Sequence, residues 1–287
     1  MLKKCFYLSI LVIFCFAVFF KVSYSQSVNE IGLDDYEEET FEDIYEAYLG
    51  ANEEYKKAHD EYILKRAQFL RFQTLKSRKD AFDATLSMLK NRDEVVIAYL
   101  KVLKASLLKG VGLADERKNE LFLEIDNEIS WFSNHKENLS SAGSLEDLVR
   151  DSKFAADRWS QLNSLIYEVM SVLSQGKVSH LSVRLEKIFR ASKNKFESIR
   201  NEERPEYAFD TSKIELLDRW MFEAEGKIDR SKEKQDEVEK IIRGNYQKKI
   251  VGLNLYNSVL SKLSESQLYM KEASNFLKEI IKQIRTK

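Results

Sequence analysis

One proline, Pro205, and nine glycines are spread over 287 residues. Ordinary domains carry about 5% proline and 7% glycine, and folds built from many short strands need turn residues at closer intervals than this chain supplies. Long, rarely interrupted helices are what such a composition allows. Cysteine is scarcer still, with Cys5 and Cys15 the only two. A chain beginning beyond them has no thiol, which excludes disulfides, thiolate metal ligation and a nucleophilic cysteine. Stability must then come from packing, and the 262 residues beyond residue 25 are enough to bury a sizeable core without covalent staples.

Histidine is almost as rare. His59, His135 and His180 are the three present, and none follows an acidic residue by three or four positions. Di-metal sites in helical bundles use Glu-x-x-His on facing helices, and helical zinc sites use two histidines one turn apart. Neither spacing occurs. The chain also lacks a glycine-rich phosphate loop, a Gly-x-Ser-x-Gly elbow and a dinucleotide fingerprint. Carboxylate neighbours such as Glu53 with Glu54, or Glu237 with Glu239, read as solvated faces in a chain with 32% charged residues. The expectation is no catalytic residue, no cofactor and no metal.

No sign of charge dominates, the formal net charge being −1. Losing Lys3, Lys4 and Lys21 would take it to −4, and neither value is the basic footprint of a nucleic-acid partner. Locally the balance shifts. Val22 to Tyr55 has no Lys or Arg, while acids accumulate from Asp34 to Glu46; from Lys240 onward ten basic residues face three acidic ones. The acidic stretch reads as a solvated tether running into a helix start, where carboxylates meet the positive end of the helix dipole. A calcium loop would place a turning glycine among alternating ligands, but Gly32 precedes Asp34 and Asp35.

At the N-terminus, Lys3 and Lys4 precede an uncharged, mostly apolar run from Cys5 to Phe20. Ser23 and Ser25 then occupy the small-residue positions for cleavage before Gln26, the pattern of an export signal. The run of 16 residues lies between the usual signal core and the shortest spanning helix, so a short uncleaved anchor is the alternative. Neither cysteine follows the small residue that lipid modification requires. The expected location is exported, either secreted or in the cell envelope, with membrane contact only through residues 1–25 if they are retained.

What the chain has in abundance is heptad periodicity. Phe41, Tyr48, Tyr55, Tyr62 and Phe69 recur every seventh residue, with Ile44, Ala51, Ala58, Lys65 and Phe72 between them, the two rows of a coiled-coil-like seam. Ile214, Leu217, Met221, Ala224, Ile228, Ser231, Gln235, Val238 and Ile242 form a second seam. Leu253, Tyr256, Leu260, Leu263, Gln267, Met270, Ser274, Leu277, Ile281 and Ile284 form a third. Polar members such as Lys65, His135, Gln235 and Gln267 suit a role in setting register.

Stop and start signals divide the rest. A helix starting near Ser77 is closed by Gly110 and Gly112, and another spans Asp115 to Asn138. Ser144 with Asp147 caps a fourth helix, carrying Leu148, Ala155, Leu162, Ile166 and Val169 and ending at Gly176. A fifth then carries Leu181, Leu185, Ile188, Phe196 and Ile199. Gly244 marks a break or sharp kink. The fold class is all-α, an elongated antiparallel bundle of six or seven long helices. Its parts are a signal or anchor (1–25), an acidic linker (26–40), a helical bundle (41–202), a hinge around Pro205 (203–211) and C-terminal long helices (212–287).

Two functions fit. The first is an exported scaffold acting through a protein partner or self-association, its candidate packing and interaction seam being Tyr48, Tyr55, Tyr62, Phe69, Leu263, Met270 and Leu277. The tyrosine row is expected against the Leu263, Met270 and Leu277 row, within one chain or between two. The alternative is an exported sensor or carrier that holds a small molecule in an aromatic pocket between helices.

Overall fold

The computed structural model describes residues 40–246, apart from 203 and 205–207, and residues 252–286. The expected export signal and most of the acidic linker lie outside the described residues. Among those described there are six long helices and no strand: α1 (Phe41–Phe72), α2 (Leu75–Leu108), α3 (Asp115–Asn138), α4 (Leu145–Arg200), α5 (Thr211–Tyr246) and α6 (Leu253–Arg285). The all-α bundle is what forms.

Local chemistry sets the helix starts. Thr40 and Asp43 exchange backbone and side-chain hydrogen bonds in a capping box that begins α1. Thr74 and Ser77 do the same for α2, so Ser77 is the third residue of that helix rather than its cap. Ser144 accepts from the Asp147 backbone N–H and opens α4. Each such cap satisfies backbone donors that no helical carbonyl can reach.

Gly176 does not end a helix. Helix α4 runs through it for 56 residues, about 84 Å at 1.5 Å per residue. The missing side chain serves a different purpose, because a Cβ at Gly176 would come within 3.0 Å of the Val111 carbonyl oxygen and the Leu113 side chain. Across the contact Gly112 takes a left-handed φ of 69°, and a Cβ there would strike the Gly176 carbonyl. The turn between α2 and α3 thus lies directly on the backbone of α4. With no restart after Gly176, the apolar phase carries on from Val169 and Val172. Val178, Ser182, Phe189, Ser192 and Phe196 are therefore buried, while Leu181 and Ile188 are each 48% exposed. Helix α5 likewise passes Gly244 and reaches Tyr246, and α6 begins at Leu253 behind Gly252.

Helix α4 is the spine. Helices α5 and α6 pack along each other and along α4, α2 and α3 pack on its other stretch, and α1 lies along α2. Three apolar clusters follow one another. Leu89, Leu139 and Leu148 sit near the start of α4. A central cluster includes Leu100, Leu107, Ile125, Phe132 and Val169, and a further one joins Phe189, Phe196, Leu217, Ile228 and Leu277. Burying each such side chain contributes roughly 1.5–3 kcal/mol.

Candidate functional site

Helix α1 sends Tyr48 and Tyr55 inward, 6% and 8% exposed, whereas Tyr62 and Phe69 are half-buried and Phe72 is 58% exposed. The aromatic row is therefore core for its first half and opens toward the α1–α2 turn. Tyr48 packs on Tyr99 of α2, ring centroids 5.8 Å apart. Two residues, Gln73 and Thr74, join α1 to α2, and so short a link makes the two helices antiparallel neighbours. Leu263, Met270 and Leu277 are buried elsewhere, the first two in the central cluster and Leu277 against Phe189, Phe196 and Leu217. Within the chain the tyrosine row and the leucine–methionine row have separate partners, α2 for one and α4 with α5 for the other.

Where α1, α2, α4 and α6 converge, Tyr99 lies within electrostatic reach of Tyr48, Tyr167 and Tyr256, and Tyr167 packs on Tyr256 at 5.8 Å. Burial holds all four phenols above their ordinary range, and Tyr48 is pushed up to about 12. A neutral phenol is what the fold accepts there. The contribution is thus full below a pH of 10.0 and lost as pH rises toward about 12. In an alkaline titration followed by circular dichroism, stability should fall through that window, and Tyr48→Phe should remove part of the fall. Replacing the ring of Tyr55 by alanine should cost about 3 kcal/mol in a urea melt, while Tyr55→Phe should cost no more than roughly 1 kcal/mol.

One carboxylate, Asp93 of α2, is 0% exposed. Its Oδ2 lies 2.5 Å from His135 Nδ1 on α3, and Arg92 donates to its Oδ1 from Nη2 at 3.2 Å and Nε at 3.3 Å. The other ring nitrogen, Nε2, lies 3.2 Å from the Asp151 carbonyl oxygen on α4. Both ring nitrogens thus face oxygen atoms of neighbouring helices. Trp131 stacks on the ring at 5.1 Å, and Arg158 covers Trp131 while forming a two-pronged pair with Glu128 at 2.8 and 2.6 Å. With both nitrogens engaged, His135 has none to offer a substrate. The arrangement ties α2, α3 and α4 together.

Between α5 and α6 a smaller polar layer does similar work. Ser231 and Ser266, both 0% exposed, bond each other at 2.8 Å, and Gln235 donates to Ser266 at 3.3 Å. Gln235 sits at the expected seam position, but its partner is Ser266 and Gln267 is exposed. Helix α6 packs against both α4 and α5, so its buried stripe takes Val259, Ser266, Ala273 and Ile280 beside Leu263, Met270 and Leu277.

One large groove, about 1040 Å³, runs between α3, α4 and the end of α5. Its charges face each other: Arg117 pairs with Glu120 and with the buried Glu168, and Arg158 with Glu128. Glu116 and Glu124 also line the groove. Among the described residues no three His, Cys, Asp or Glu side chains cluster as metal ligands would. No described helix is long and apolar enough to cross a membrane. Compared with protein-family models, with curated proteins and with solved structures, the chain gives no match.

Proposed function

We propose that this chain is an exported, non-enzymatic scaffold of the cell envelope or its surroundings that works by binding another protein or a second copy of itself. The observation carrying this reading is the placement of α1. That helix packs along α2 and makes at most a marginal contact with any other described helix. Off the Tyr48 and Tyr55 row it leaves Leu49, Ile63 and Leu64 44%, 48% and 55% exposed. Apolar side chains left on an edge helix mark a surface that gains by being covered. The polar groups in the interior support the same reading, because Asp93, His135, Ser231 and Ser266 bond one another and the backbone rather than lining an open pocket.

Export rests on the sequence of residues 1–25 alone. Protein recovered outside the cytoplasm should carry an N-terminus at or near Gln26 by mass spectrometry; an intact Met1 in a membrane fraction would establish the anchored form, and recovery from the cytoplasm would overturn export. For the interaction, Ile63→Ser with Leu64→Ser should abolish association in sedimentation velocity, with the natural partner or between copies, while leaving the unfolding free energy from urea melts within about 0.5 kcal/mol of the parent. Association unaffected by both substitutions would reject α1 as the contact surface.

A further inference from the structure

The turn between α1 and α2 carries a second, chemically different surface. From Lys65 to Lys79 there are six basic residues (Lys65, Arg66, Arg71, Lys76, Arg78 and Lys79) and no acidic one. At the apex Leu70, Phe72 and Leu75 are 57%, 58% and 87% exposed. Arg78 reaches Glu146 in the first turn of α4 at 3.5 Å; the other five cations form no ion pair among the described residues. The chain turns through Gln73, in the left-handed region at φ 49°, and the Thr74–Ser77 capping box fixes the start of α2. The Leu89, Leu139 and Leu148 cluster holds the hairpin to the rest of the bundle below Arg78. The apex is therefore built and held, yet its apolar side chains are left in water.

We propose that this apex docks on an anionic bilayer surface, with Leu70, Phe72 and Leu75 entering the headgroup boundary and the basic residues pairing with lipid phosphates. The tip carries a shallow cavity of about 300 Å³ lined by Phe69, Leu70, Gln73, Thr74, Leu75 and Arg78. The charge around it selects the occupant, since flexible Lys and Arg stems around an apolar tip can lie along the interface and place their heads among phosphates. Clusters of such residues beside inserted apolar groups bind anionic membranes through both contributions. This contact is separate from any made by residues 1–25, and it goes beyond the protein-interaction reading, which rests on Leu49, Ile63 and Leu64 of α1.

The test uses the chain from Gln26 onward, which holds all three apolar clusters described above and lacks the N-terminal apolar run. It should co-sediment with vesicles of equal parts phosphatidylcholine and phosphatidylglycerol, and not with phosphatidylcholine alone. Arg71→Glu, Lys76→Glu and Lys79→Glu together should weaken vesicle binding on the order of a hundredfold, and Phe72→Ser with Leu75→Ser about tenfold. Raising salt should weaken the parent in the same direction as charge reversal. Circular dichroism melts check that each variant is folded, and glutamine at the same three positions replaces glutamate if the reversal unfolds the chain. Equal binding to both vesicle types, or binding that neither variant changes, would overturn the proposal. So would failure of the parent to bind while the serine pair alters its oligomeric state, which would make the apex a protein contact.

Discussion

Asp93→Ala should cost about 3–5 kcal/mol of stability, the usual penalty for removing one member of a buried ion cluster. The carboxylate is 0% exposed and accepts from both His135 and Arg92, so alanine leaves two partners oriented toward a missing anion. Adding His135→Ala to Asp93→Ala should cost less than the sum of the two singles, with a coupling of roughly 1–3 kcal/mol, because the same interaction is lost only once. Equilibrium urea unfolding of the parent, the two singles and the double measures this. A loss below about 1 kcal/mol for Asp93→Ala would mean that the cluster does not tie α2, α3 and α4 together.

The contact between Gly112 and Gly176 should be as sensitive. Gly112→Val must adopt φ 69° with a branched side chain, costing about 1–2 kcal/mol, and its Cβ would collide with the Gly176 carbonyl, adding roughly 1–3 kcal/mol of overpacking. A total of about 2–5 kcal/mol is expected from these two. Gly176→Ala should destabilise despite the better helix propensity of alanine, since the new methyl group meets the Val111 carbonyl and Leu113. Gly50 and Gly226 supply the control, because a Cβ at either meets nothing within 4 Å. Alanine at those two positions should stabilise by about 0.5–1 kcal/mol. Thermal melts that showed the same sign for Gly176→Ala and Gly226→Ala would remove the close-approach explanation for the uninterrupted α4.

The contrast between these glycines shows where the sequence could be read and where it could not. Composition and heptads were sufficient for the helices themselves. The start of α3 lies at the expected Asp115 and that of α4 just after the expected cap Ser144, because helix starts are largely local chemistry. Gly176 has the same local signature as a helix stop, and only the α2–α3 turn lying across it explains why the helix continues. The same limit applies to the seams. Leu263, Met270 and Leu277 were legible as buried, but whether Ser266 or Gln267 joined them depended on α6 having two neighbours. His135 stood out as a polar seam member, whereas its partner Asp93 was missed. The signal for Asp93 was present: it falls four residues after Leu89 and three before Val96, an acid on an otherwise apolar stripe. The pairing of α1 with α2 followed from the shortness of their connection, a tertiary consequence that the two rows by themselves do not carry.

The central claim is that this chain acts through surfaces on the outside of the bundle, above all the uncovered side of α1. Site-specific photo-crosslinking from position 64 in intact cells measures that directly, with position 233 on the exposed face of α5 as the control. The account predicts a discrete protein adduct from position 64, either a second copy of the chain or another protein, and none of comparable yield from position 233. No adduct from position 64, or the same adducts from both positions, would contradict it.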